Sequence, residues 1–283
     1  MQKKTIIWIM AGVLSLITVL FILYLNTRPQ YAILLTGASL AKSDNQWFEM
    51  GCYKLNAIPI NRSVGNESIA DAANKMITGN LYSKKELENI DALTIFHVWD
   101  ENVCDETQLC ENYKDYKTPF DRYDYAAAYD YVIKRYLSDC YELRNDSTSK
   151  YYLSQAGKPA AIILCTYWHD ARTTYNNSIR RLAEKWGFPL IEFDKYIGFS
   201  KNQPHPVTKE SISLLYSYDS EEINNVTYGH HPYKGKREYM QQHISAIFCD
   251  KMKKNLPIKE KYPYQFKIKS MVYQFYEKLY NKE

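Results

Sequence analysis

The sequence predicts an α/β protein of three layers, with helices on both faces of a mostly parallel five-stranded sheet, preceded by one transmembrane helix. Two observations predict the layered part. Short apolar runs without polar alternation, such as "YAILLTG" and "DALTIF", read as strands buried on both faces. Amphipathic segments recur between them, giving the β-α-β-α order of a parallel sheet. A third observation predicts the membrane helix. Ile6 to Leu25, "IIWIMAGVLSLITVLFILYL", carries no charge and follows Lys3 and Lys4.

Taken in order, residues 1–5 read as a cytoplasmic N-terminus and 6–25 as a signal anchor. About 20 apolar residues at 1.5 Å each cover the hydrocarbon core of a bilayer, and no Ala-x-Ala site or lipobox cysteine follows. The lysines favour a cytoplasmic N-terminus and a periplasmic or extracellular domain. Residues 26–30 are a linker, 31–252 the main folded domain, and 253–283 a basic aromatic tail that reads as a helix packed on the domain or lying on a membrane surface.

Within the domain, 31–37 reads as the first strand, 44–56 as a helix and 57–64 as the second strand. "SIADAANKMITG" (68–79) is an amphipathic helix closed by Gly79. The third strand is 91–98, followed by a long helix over 120–143. The fourth strand lies in 158–170 and the next helix in 176–187. A short fifth strand at 188–194 and a terminal helix over 234–252 complete the pattern. In such sheets ligands gather beyond the carboxyl ends of the strands.

The composition, 46% hydrophobic and 24% charged, is that of a folded chain. A formal net charge of +4 without a basic reader motif gives no reason to expect a nucleic-acid partner. The 27 tyrosines suit either a core or a carbohydrate-binding surface. Of six cysteines, Cys104 and Cys110 bracket a short loop and are the best-placed disulfide pair; free buried thiols are the alternative. No paired C-x-x-C points to zinc.

Acyl transfer needs a nucleophile, a base and donors for the oxyanion. In "LLTGASLA" Ser39 sits just past the first strand, and in "YGHHPYKG" His231 precedes Pro232 near the terminal helix. Together they resemble the SGNH/GDSL hydrolases, serine esterases on a flavodoxin-like sheet. "TGASLA" is similar to the first block of that superfamily, with Ser39 the nucleophile. "NRSVGNESI" (61–69) is similar to the second, whose Gly65 would lend a backbone N–H to the oxyanion beside that of Ser39. "DALTIFHVWDEN" (91–102) stands in the third block's place, and "YGHHPYKG" in the fifth's, with His231 the base. "CTYWHDARTTYN", "IGFSKNQPHPVT" and "YGHHP" look like an uncharacterised Bacteroidetes-type branch.

Two blocks depart from that pattern. The third lacks Gly-x-Asn, so Asp100 or Asn102 takes the asparagine's place, with His97 a substitute donor; an ionised aspartate would repel an oxyanion. The fifth has Tyr228 three residues before His231, where an orienting Asp is expected. Asp170 is the best replacement from elsewhere. In "YWHDAR", Trp168, His169, Asp170 and Arg172 lie at a strand end where they could orient the base or position substrate. Trp168 would offer a face to a sugar ring and Arg172 a fork to an anion; a capped helix start is the alternative. His205 and His169 with Asp170 make only a weak metal set, and neither metal nor cofactor is expected.

The expectation is a membrane-anchored serine esterase or deacetylase acting on O-acyl esters, on glycans in particular. A catalytically degenerate glycan-binding or envelope-assembly protein on the same scaffold is the alternative. No protein partner is indicated.

Overall fold

In the computed structural model, residues 12–18, 29–43, 46–98, 106–197 and 203–257 are described. Five strands form one parallel sheet: β1 (Tyr31–Gly37), β2 (Ala57–Asn61), β3 (Ala92–Phe96), β4 (Ile162–Cys165) and β5 (Leu190–Ile191). Their order, β2-β1-β3-β4-β5, is the flavodoxin-like winding. Every pairing is parallel, from Tyr31 opposite Ala57 to Cys165 opposite Ile191. The central strands are buried on both faces, which is why they read as unbroken apolar runs. Pro59 is tolerated in β2 because that strand lies at the sheet's edge.

The helices fall where the amphipathic segments predict. Those of eight or more residues are α1 (Trp47–Lys54), α2 (Ile69–Ile77), α3 (Tyr125–Glu142), α4 (Thr173–Trp186) and α5 (Tyr239–Asn255). The Asp71 carboxylate accepts the Ser68 N–H at 2.7 Å and caps the start of α2, while Gly79, at φ 72°, follows its end. α1 packs on α5 over one face of the sheet, and α2 packs on α3 over the other. The core between α1, α5 and the sheet is aromatic. Trp47 meets Phe96, Phe193 and Phe248 edge-on, at centroid distances of 5.8, 5.5 and 5.6 Å.

One element has no counterpart in the sequence reading. β6 (Ser220–Ile223) and β7 (Val226–Gly229) form an antiparallel hairpin between the sheet and α5. Its two-residue turn, Asn224-Asn225, has φ of 53° and 60°, the left-handed pair that a type I′ turn requires.

The two ends of the domain meet at the amino-terminal edge of the sheet, where the Tyr31 hydroxyl donates to the Pro257 carbonyl at 3.0 Å. Of the expected membrane span 6–25, residues 12–18 are helical and exposed, and the remainder lies outside the described residues. Among the described residues no helix is long and apolar enough to cross a membrane. The tail beyond Pro257 also lies outside them; residues 253–255 belong to α5. Cys110 is a free thiol, as are Cys52, Cys140, Cys165 and Cys249, and Cys104 lies outside the described residues.

Candidate active site

The carboxyl end of β1 builds the first half of the site. After Gly37 the chain turns into a single 3-10 turn, Ser39–Ala41. Gly37 is needed there, because a Cβ would come within 2.6 Å of the Ala41 Cβ and 2.7 Å of the Phe96 carbonyl oxygen. The turn is pinned from two sides. Trp47 Nε1 donates to the Leu40 carbonyl at 2.9 Å, and Asn61 Nδ2 to the Ala41 carbonyl at 2.8 Å. The Val64 N–H donates to the Gly37 carbonyl at 3.2 Å, which sets the loop carrying Gly65 beside the nucleophile turn.

The hairpin builds the second half. Its ladder continues past the strands, with the His230 N–H on the Asp219 carbonyl at 3.1 Å and the Tyr218 N–H on the His231 carbonyl at 3.1 Å. This brings Asp219 beside the two histidines, although it lies twelve residues before His231 in the chain. Gly229 lets the ribbon press inward, since a Cβ there would lie 2.3 Å from the Ser213 carbonyl oxygen.

The halves meet in a Ser-His-Asp array. His231 Nε2 lies 2.8 Å from Ser39 Oγ, and His231 Nδ1 lies 2.7 Å from Asp219 Oδ2. Asp219 Oδ1 also accepts the His231 backbone N–H at 2.7 Å, so one carboxylate fixes both the ring and its backbone. Burial and the neighbouring His230 hold the His231 imidazole below its ordinary pKa, against the upward pull of Asp219. A neutral imidazole bonded to a hydroxyl can take that hydroxyl's proton; the acid on its far nitrogen fixes the tautomer.

Asp219 is therefore the partner of His231, in place of Tyr228 or Asp170. Tyr228 lies in β7 and stacks on His169 at 5.4 Å, because the hairpin places positions 228 and 231 in different environments. The hydrogen bonds on His231 come from Ser39 and Asp219. Trp168 does not present a face to a ligand either. The ribbon covers it, leaving it 1% exposed, and its Nε1 donates to the His230 carbonyl at 2.9 Å.

A second acid anchors the same ribbon. Glu221 accepts from Tyr167 Oη at 2.7 Å, from His169 Nε2 at 3.0 Å and from Arg172. His230 Nδ1 lies 3.1 Å from the Glu221 oxygen that Arg172 bonds and 2.9 Å from Tyr167 Oη. Burial alone would raise the Glu221 pKa, but His169, His230 and Arg172 outweigh it and hold the carboxyl well below the usual range. His169 Nδ1 accepts the Ala171 N–H at 3.2 Å, leaving Nε2 to donate to Glu221.

Ser39 lines a small pocket with Ala38, Leu40, Phe96 and Val98 on one side and Tyr167, Arg172 and His230 on the other. Strand alternation puts Phe96 and Val98 into it and turns His97 away. His97 is fully buried, bonded to Thr36 Oγ1 at 2.9 Å, and pushed down to about 3 by that burial. It therefore gives no donor to the pocket. Asp100 and Asn102 lie outside the described residues. His205 Nδ1 faces the backbone N–H groups of Val207 and Thr208, and among the described residues no group of three or more His, Cys, Asp or Glu is placed to hold a metal ion.

Residues 30–256 match the family described as Domain of unknown function (DUF5040). The chain belongs to this family. No curated protein matches it. Among solved structures, the DUF5040 chain is similar to a protein named for the G-D-S-L lipolytic family from Desulfitobacterium hafniense DCB-2, at 12% identity and a TM-score of 0.41, covering 77% of this chain and 99% of that one. It is also similar to a protein named as an SGNH hydrolase from Slackia heliotrinireducens, at 13% identity and 0.38, covering 78% and 98%. A third likeness is to a lipase from a goat rumen metagenome, at 11% identity and 0.40, covering 78% and 97%.

Proposed function

We propose that this protein is a membrane-anchored serine ester hydrolase that cleaves O-acyl esters, on glycans in particular. The observation that carries the reading is the array in which one imidazole bonds Ser39 Oγ at 2.8 Å and Asp219 at 2.7 Å. In this reading Ser39 attacks the ester carbonyl while His231 Nε2 takes its proton, and the Asp219 carboxylate stabilises the resulting imidazolium. The N–H groups of Ser39 and Gly65 hold the oxyanion. Collapse of the tetrahedral adduct breaks the bond to the alcohol, which leaves with the proton from His231. Water then attacks the carbonyl of the acyl-enzyme while giving a proton to His231; collapse breaks the bond to Ser39 Oγ, which takes that proton back, and the acyl group leaves as its acid.

The apolar run 6–25 behind Lys3 and Lys4 supports an anchor with the domain outside the cytoplasm. Protease digestion of spheroplasts checks the side: the domain is expected to be degraded without lysis, and protection until lysis would reverse the orientation.

The degenerate, noncatalytic alternative drew on a missing orienting carboxylate and on the altered third block. Asp219 removes the first ground. A fluorophosphonate probe tests the remaining choice. Covalent labelling of the wild type, lost in Ser39→Ala with the fold retained, is the expected result. An unlabelled wild type beside a labelled control hydrolase would sink catalysis.

A further inference from the structure

The ribbon that carries His231 has a second feature, which the catalytic array leaves unused. Residues 216–218 pair antiparallel with 231–233, through the Tyr218 N–H on the His231 carbonyl and the Tyr233 N–H on the Tyr216 carbonyl at 2.9 Å. Alternation along such a ribbon sends Tyr218, His231 and Tyr233 to one face, while Ser217 on the other is buried. The rings form a continuous series. Tyr218 stacks on the His231 imidazole at 5.7 Å with an interplanar angle of 13°, and Tyr233 follows at 6.5 Å from Tyr218, tilted by 55°. Both tyrosines are open to solvent, at 46% and 45% exposure. Lys234 Nζ lies 5.4 Å from the Tyr218 ring centroid.

The position of this platform suggests what it holds. His231 must deliver its proton to the leaving alcohol, so that part of the substrate lies against His231 on the side away from the acyl pocket. The pocket beside Ser39 is small and partly apolar, fit for a short acyl group. The alcohol therefore extends outward over Tyr218 and Tyr233. Flat aromatic faces with hydroxyl groups and an ammonium at their rim match a ring that has an apolar C–H face and polar edges. An alkyl chain would instead call for a continuous apolar groove.

We propose that Tyr218 and Tyr233 form the leaving-alcohol subsite, and that its occupant is a pyranose ring of an O-acetylated polysaccharide. This rests on the ester-hydrolase reading and assigns the side chains that hold the alcohol half of its substrate.

The test compares two acetyl esters, one with a sugar ring and one without. The ratio of kcat/KM for O-acetylated xylo-, manno- and chito-oligosaccharides to that for ethyl acetate is measured in wild type, Tyr233→Ala and Tyr233→Phe. The alanine variant should lower the ratio about tenfold, through KM for the sugar ester, and the phenylalanine variant should stay within roughly twofold of wild type. Fluorophosphonate labelling of Ser39 checks that each variant is folded. An unchanged ratio in Tyr233→Ala overturns the subsite, as does an equal loss on both esters. A wild type that splits ethyl acetate but gains nothing from any of the sugars also overturns it while leaving the hydrolase reading intact. A wild type that splits neither ester removes the hydrolase reading, and the subsite with it.

Discussion

Two acids, Asp219 and Glu221, stand two residues apart on one ribbon and bind two adjacent histidines, yet their surroundings differ. The Asp219 side chain is 39% exposed and holds His231, whose other nitrogen bonds a serine hydroxyl. The Glu221 side chain is 10% exposed and collects Tyr167, His169, His230 and Arg172. The difference teaches how one ribbon divides its work. A carboxylate committed to a single imidazole can stabilise charge that appears on it during a reaction. A carboxylate saturated by four donors cannot respond to a reaction, but it fixes the ribbon on which the first pair rides.

The largest expected effect separates the two histidines. His231→Ala should reduce kcat by about a millionfold at unchanged thermal stability. His230→Ala should cost only about tenfold, with a lower Tm, since it loses a contact to Glu221 and not the proton carrier. Equal kinetic losses from the two would erase the distinction.

Next come the acids. Asp219→Asn should lower kcat by about 10⁴. It should also move the acid limb of kcat/KM to lower pH, because the carboxylate raises the His231 pKa and its removal takes that lift away. In the unaltered protein the rate rises with pH as His231 loses its proton, so that limb should lie below the ordinary histidine value of 6.5. A pH–rate profile whose limb stays put or moves up in the variant would contradict the assignment.

Glu221→Gln should act on stability first, by about 3 kcal/mol in denaturant unfolding, because Arg172 loses its charge partner in a mostly buried site. The sign of its pH dependence follows from a folded pKa held below the unfolded one. The stabilisation is present above the ordinary carboxyl value of 4.5 and is lost as the pH falls toward the folded one. The variant should flatten the acid side of the stability curve. The smallest effect is reserved for Trp47→Phe, which loses the bond to the Leu40 carbonyl. With the gap that the smaller ring leaves among Phe96, Phe193 and Phe248, it should cost about 2 kcal/mol, seen as a fall in Tm.

The sheet was legible because its central strands are buried on both faces and its helices are closed by signals such as Gly79 and Gly187. Ser39 and His231 were legible because each follows a short motif at a fixed place in the order. Asp219 was not, because the expected spacing of three residues is opened by a hairpin. The cue was present in "SEEINNVTYG", where two asparagines separate two short runs, but Glu221 and Glu222 broke the apolar alternation that marks a strand. Trp168 misled for a related reason: a ring at a strand end is open only if nothing covers it, and the cover here is that same hairpin.

The bond between Tyr31 and Pro257 also has a consequence for geometry at large scale. Entry and exit of the chain stand side by side at one pole of the domain, and the reacting atoms stand at the other, roughly one seven-residue strand or about 23 Å away. A tether, fusion partner or surface joined at either end would hold the domain by its base and leave the opposite pole clear. The adjacent ends would also let the domain be closed into a circle and reopened elsewhere without disturbing the sheet.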